Sequence, residues 1–218
     1  MNVYVGIPMY GGAHGLTVRS LLSLQAHLLL KGHEVIFDIV TGGSILPKVR
    51  NGIVKRFIDS SADVLVFIDA DMVYEPTTIE KLIDAPFDVS VVNYRARSTK
   101  ETWLSYPITK EGQPVGTTHE GDIWLQTARA GTGIMAIKRR VISSMVEKYP
   151  SLVYQDKGET IPCLFDFELS EGQYFGEDYT FCKRLDKIGG QIFILADAYI
   201  GHVGDIVYGG NYHEYLKG

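Results

Sequence analysis

Asp69 and Asp71, Glu177 and Asp178, and His202 are the residues whose types and spacing point to chemistry in this chain. Two carboxylates one residue apart make a site for a hard divalent cation when a fold brings them together in a partly dehydrated corner. The ligand such a cation usually serves is a phosphate or diphosphate. A carboxylate held ionised at a helix N-terminus can take the proton of an acceptor hydroxyl. His202, set between glycines in Gly201-His202-Val203-Gly204, is open to close approach and could add a nitrogen ligand to Mn2+ or Mg2+. Taken alone, acids in a first helical turn are commonplace and a single His is usually structural. Their weight comes from convergence.

The elements that must position these groups follow from pattern. Val64-Leu65-Val66-Phe67-Ile68 is a continuous β-branched and aromatic run, the signature of a parallel strand buried on both faces. Asp69-Ala70-Asp71-Met72 closes that strand, and period-2 alternation predicts that Asp69 and Asp71 point the same way. Upstream, Asn2–Pro8 reads as a first strand, followed by a Gly-rich turn, Tyr10–Gly15, that places His14 within reach of a phosphate. Thr17 caps a helix with Val18, Leu21, Leu22, Gln25, Leu28 and Leu29 at helical spacing, ended by Gly32. Glu34–Val40 is a second strand carrying Asp38, and Pro47 opens a second helix with Arg50-Asn51 on it. Strand, helix, strand, helix, strand predicts a doubly wound, mostly parallel sheet.

Downstream, Val89–Tyr94, Asp122–Ala128, Gly133–Lys138 and Gln191–Leu195 read as strands, and Arg139–Lys148 as a helix. A second helix opens at Gly176-Glu177-Asp178 and ends at Gly189-Gly190. Tyr149–Gly176 shows no clear period, as expected of a functional lid or an unstructured segment.

Composition sets the class. The 218 residues suffice for one α/β domain with a substantial core, read here as one unit over 1–218 with a nucleotide-binding half (1–95) and an acceptor-binding half (96–218). No apolar stretch reaches bilayer length and no signal peptide opens the chain, so a cytoplasmic protein is expected. Cys163 and Cys182 lack metal-ligand spacing and read as reduced thiols. A formal charge of −5 gives no support to bulk attachment to nucleic acid or an anionic membrane.

The glycine spacing after the first strand is not the dinucleotide fingerprint, which argues against an NAD enzyme. A phosphohydrolase of the haloacid-dehalogenase type also carries an Asp-x-Asp, but on its first strand; here the pair closes the third. Taken in order, the motifs resemble glycosyltransferases of the GT-A fold, especially family-2-like and Anp1-like members. The resemblance runs through Ile7-Pro8, Arg50-Asn51, Phe67-Ile68-Asp69-Ala70-Asp71-Met72 and Ala130-Gly131-Thr132-Gly133-Ile134-Met135. It continues through Arg139-Arg140, Gly176-Glu177-Asp178-Tyr179-Thr180-Phe181-Cys182 and Gly201-His202-Val203-Gly204.

The resemblance implies a Rossmann-like sheet flanked by helices and a divalent cation held by Asp69, Asp71 and His202. That cation would bridge the diphosphate of a UDP- or GDP-sugar. It implies that Pro8, Tyr10, Asp38, Arg50, Asn51, Asp69, Gly131 and Gly133 surround the donor, with Asp71 the direct metal ligand and Asp69 nearer the ribose. Asp178 would be the base, and Glu177 and Trp124 would meet an acceptor glycan, small molecule or polymer hydroxyl. Where the family carries an acidic turn after its second strand, this chain has Asp38-Ile39-Val40-Thr41-Gly42-Gly43-Ser44. The Asp pair alone would also serve a metal-dependent phosphohydrolase or nucleotidyltransferase, or a nucleotide-sugar-binding module without turnover.

Overall fold

Burial of Val64–Ile68 on both faces sets the rest of the architecture, because helices must cover each side of that strand. The computed structural model describes residues 1–217. In chain order the elements are β1 (Asn2–Met9), α1 (Gly15–Leu30), β2 (Glu34–Thr41), α2 (Leu46–Asp59), β3 (Val64–Ile68), β4 (Met72–Val73), α3 (Pro76–Asp84) and β5 (Val89–Val92). A hairpin of β6 (Thr109–Lys110) and β7 (Gln113–Pro114) precedes β8 (Gly116–His119) and β9 (Asp122–Thr127). Then β10 (Ile134–Lys138) feeds α4 (Arg139–Lys148). Two more hairpins, β11 (Val153–Asp156) with β12 (Glu159–Pro162) and β13 (Glu168–Ser170) with β14 (Gln173–Phe175), lead to α5 (Glu177–Asp186). The described chain closes with β15 (Ile192–Leu195), β16 (Tyr199–Val203), β17 (Val207–Asn211) and α6 (Tyr212–Leu216).

The central sheet has eight strands in the order β2-β1-β3-β10-β5-β15-β9-β8. It is mixed. β1 runs parallel to β2 and β3, and β5 parallel to β15, whereas β10 is inserted antiparallel between β3 and β5. β9 and then the edge strand β8 continue it antiparallel. Strands from both halves of the chain thus share one sheet.

Alternation along β3 divides the core. Val64, Val66 and Ile68 face Leu24 and Leu28 of α1 and Ile79, Leu82 and Ile83 of α3. Leu65 and Phe67 face Ile53, Val54 and Phe57 of α2, Val141 and Met145 of α4, and Phe181 and Leu185 of α5. Gly6 lets α2 approach β1 closely, since a Cβ there would lie 2.4 Å from a methyl of Ile53.

Two local expectations are corrected. α1 begins at Gly15, not after Thr17, because the His14 side chain accepts from the Leu16 N–H at 3.2 Å and caps the helix itself; Thr17 is buried inside it. Residues 149–176, read as lacking period, hold two tight hairpins. Their two-residue turns, Lys157-Gly158 and Glu171-Gly172, have φ values of 49° and 86°, and 54° and 73°. Positive φ at both central positions is the mirror-image turn that suits the twist of paired strands. Among the described residues no helix is long and apolar enough to cross a membrane, and both cysteines are free.

Candidate active site

The carboxyl ends of β1 and β3 open into a cleft of about 710 Å3, lined by Pro8, Tyr10, His14, Asp69, Asp71 and Arg97 among others. Ligands of open α/β sheets bind at that edge, because helices block the faces and the strand ends expose backbone and loops. Here the two aspartates part company. β3 stops at Ile68, and the Met72 N–H donates back to the Asp69 carbonyl at 3.2 Å, so residues 69–72 turn rather than extend. The period-2 prediction fails for that reason.

Asp69 keeps the parity of Leu65 and Phe67 and turns to α2, where one nitrogen of Arg50 donates to its two oxygens at 2.9 and 3.2 Å. The Arg50 side chain is only 2% exposed and reaches Glu177, whose oxygen lies 3.4 Å from its Nε. A buried guanidinium is tolerated because two carboxylates compensate it, and they hold its charge firmly despite the burial. Arg50 therefore ties the end of β3 to the first turn of α5. Its Nη1 has no hydrogen-bond partner among the described residues.

Asp71 takes other partners. Its Oδ2 meets Arg97 and lies 3.6 Å from Nε2 of His202, while its Oδ1 is buried without a partner among the described residues. β16 brings His202 here by pairing with β4, His202 opposite Met72. The ring Nδ1 sits 2.8 Å from the Arg95 carbonyl. A carbonyl only accepts, so Nδ1 carries the proton and Nε2 turns its lone pair toward Asp71. Burial, helped by neighbouring Arg97 and opposed by the Arg95 hydrogen bond, pushes the imidazole below its ordinary value. A buried, partnerless carboxylate oxygen and an imidazole lone pair in one corner fit a hard divalent cation. They would supply two protein ligands: no cluster of three or more His, Cys, Asp or Glu gathers among the described residues, and Arg50 engages Asp69. Mg2+-type sites commonly take one or two protein ligands and complete their shell with water and phosphate oxygens.

Asp178 sits in the first turn of α5, where its carboxylate accepts from the Tyr179 N–H at 2.7 Å. Burial, and then the charge of Glu177, push it up to about 6 from the ordinary 3.8; the Tyr179 N–H and Arg50 oppose the rise. Tyr94 links the two acidic groups. Its hydroxyl feels both Asp69 and Asp178, accepts from the Gly133 N–H at 3.1 Å, and its ring stands edge-on to His202 at 5.3 Å.

Other expected residues take different places. Gly131 and Gly133 make room for Tyr94, since a Cβ on either would fall 2.5 Å from it. Asp38 lies inside β2, not at its end, and faces α2, where it accepts from Tyr4 Oη and Arg56 Nε, both at 2.8 Å. It stands outside the cleft. Asn51 clamps the backbone of Phe165, donating to its carbonyl at 2.7 Å and accepting from its N–H at 2.9 Å. Glu177 is buried against Arg50. Trp124 is 1% exposed and packs on Phe87, so it has no free face to stack on a sugar. Sequence reading overlooked Tyr94, taken only as the end of a strand, and Arg97, which sits in a stretch without a pattern that would place it beside His202.

With that geometry in hand, the comparisons add the fold. No family model matches the chain, and no curated protein does. The crystal structure of A197 from STIV is similar to it at a TM-score of 0.56, with 16% identity over 94% of this chain and 87% of that one. A glycosyltransferase involved in the glycosylation of the major capsid of PBCV-1 aligns at a TM-score of 0.36 and 9% identity, over 68% of this chain and 67% of that one. The first likeness shows a shared fold. The chemistry rests on the side chains.

Proposed function

We propose that this protein is a GT-A-type glycosyltransferase that moves a sugar from a nucleoside-diphosphate sugar, UDP- or GDP-linked, to an acceptor hydroxyl. The observation that carries the reading is the Asp71 carboxylate at the carboxyl edge of the sheet, whose Oδ1 is buried without a partner among the described residues and whose Oδ2 lies 3.6 Å from His202 Nε2. Asp71 and His202 would hold Mn2+ or Mg2+, which when bound supplies a Lewis acid for the negative charge of the departing diphosphate.

The chain's own groups perform the rest. Pro8, Tyr10 and His14 border the cleft in which the donor would lie. Arg50 orients Asp69 toward the same cleft. An acceptor oxygen attacks the anomeric carbon as the bond to the diphosphate oxygen breaks, and its proton passes to Asp178. A carboxylate with a value of about 6 is ionised at neutral pH yet more basic than an ordinary aspartate, which suits it to that transfer.

The test is a thermal-shift screen of nucleoside diphosphates with and without Mn2+. A ligand at 100 times its Kd stabilises the native state by about 2.7 kcal/mol. A shift with UDP or GDP that needs Mn2+ and disappears in Asp71→Ala is expected. Absence of any such shift, or its survival in that variant, overturns the cation site; hydrolysis of simple phosphomonoesters would instead select a phosphohydrolase.

A further inference from the structure

We infer that Arg97 is the resident cation of the Asp71–His202 corner: a divalent ion displaces it, and the freed guanidinium then pairs with the diphosphate of the donor. The inference rests on the cation site proposed above. Arg97 occupies the place such an ion needs. Its Nη2 meets Asp71 Oδ2, and its Nε donates to His202 Nε2 at 3.2 Å. It therefore uses the very lone pairs that a metal would take.

The berth is shaped for this side chain. A Cβ on Gly204 would stand 3.1 Å from Arg97 Cδ, so the glycine two residues after His202 gives the stem its path into the cleft. The backbone around Arg97 is fixed: Ala96 N–H donates to Thr102 and Ser98 N–H to Ala96, both at 2.8 Å, and Arg95 bridges Trp103. The Arg97 side chain is 44% exposed. An anchored Cα with a free, long side chain can swing without moving the fold.

Electrostatics sets the direction of the exchange. Without a cation, the Asp71 carboxylate and the His202 lone pair would face each other at 3.6 Å, and Arg97 relieves that opposition. A guanidinium and a dication repel at contact distance and compete for the same oxygen and nitrogen, so binding of one expels the other. The expelled fork still borders the cleft, and its planar pair of donors matches a diphosphate oxygen pair better than an ammonium would.

The experiment measures Mn2+ affinity from the spectrum of the free aqueous ion, for the wild-type chain and Arg97→Gln, without nucleotide. The variant has lost the competitor and is expected to bind Mn2+ roughly three- to tenfold more tightly, the range of a partly exposed ion pair. With Mn2+ saturating, the same variant is expected to bind UDP or GDP more weakly by a similar factor. Arg97→Lys, which keeps the charge, is expected to stay near wild type in the first measurement. A purely structural Arg97 would weaken both affinities or neither, and either result overturns the exchange. A wild-type chain and variant that both ignore Mn2+ would instead sink the cation site itself.

Discussion

Replacing Asp178 by Asn isolates the cost of keeping a buried carboxylate ready to accept a proton. In the folded protein this group titrates near 6 rather than 3.8, chiefly because it is buried and stands beside Glu177. The folded state thus holds the proton more tightly than the unfolded chain does. The associated stability is fully present below about pH 3.8 and is lost as pH rises through about 6. Each pH unit of that interval is worth about 1.36 kcal/mol, so the ionised group costs about 3 kcal/mol at neutral pH. Asn cannot ionise and copies the protonated acid in shape. Asp178→Asn should therefore raise stability by up to about 3 kcal/mol at pH 7.5, or about 6–12 °C in Tm for a domain of this size. The gain should shrink to nothing towards pH 4. Urea denaturation of both proteins at four pH values from 4.5 to 7.5 reads this directly. Transfer activity should vanish in the variant, while kcat/KM of the wild type should rise with pH through about 6. Denaturation curves offset equally at every pH would refute the elevated carboxyl, and with it the physical case for Asp178 as the base.

Other perturbations test the frame around it. Arg50→Met leaves Asp69 and Glu177 without their cation and should destabilise by about 3–5 kcal/mol in urea titrations; a loss below about 1 kcal/mol would show that the network does not hold β3 to α5. Gly133→Ala forces a methyl against the Tyr94 ring and should cost about 1–3 kcal/mol, whereas the same change at Gly11, which has open space, should be nearly silent. Trp124→Phe should lower Tm through lost core packing while leaving acceptor KM unchanged; a raised KM with unaltered Tm would restore Trp124 to the acceptor site. Asn51→Ala should leave both backbone groups of Phe165 unpaired and loosen the 163–166 segment, read as faster amide exchange there.

What the sequence settled by itself was local. The buried run at 64–68 and the helix starts at Pro47 and Glu177 each follow from propensity over a few residues, and the structure places them as expected. It also put carboxylates at the edge of β3 and the start of α5. The hairpin turns were legible too: Glu111-Gly112, Glu120-Gly121, Lys157-Gly158 and Glu171-Gly172 all adopt positive φ. They went unread because Glu and Lys are uncommon before the glycine of such turns, where Asn and Asp dominate.

Only tertiary structure decided which partner each side chain meets. β10 enters the sheet antiparallel, and β16 pairs with β4; both depend on strands far apart in the chain, for which periodicity carries no register. Asp69 and Asp71 meet different partners because the strand ends at Ile68, three residues before Asp71, and the chain turns there. Tyr94 and Arg97 join the site through contacts with residues 133 and 202, separations that no local pattern encodes. A strand's two faces are written in its own residues. What waits across the cleft is set by how the rest of the chain returns to it.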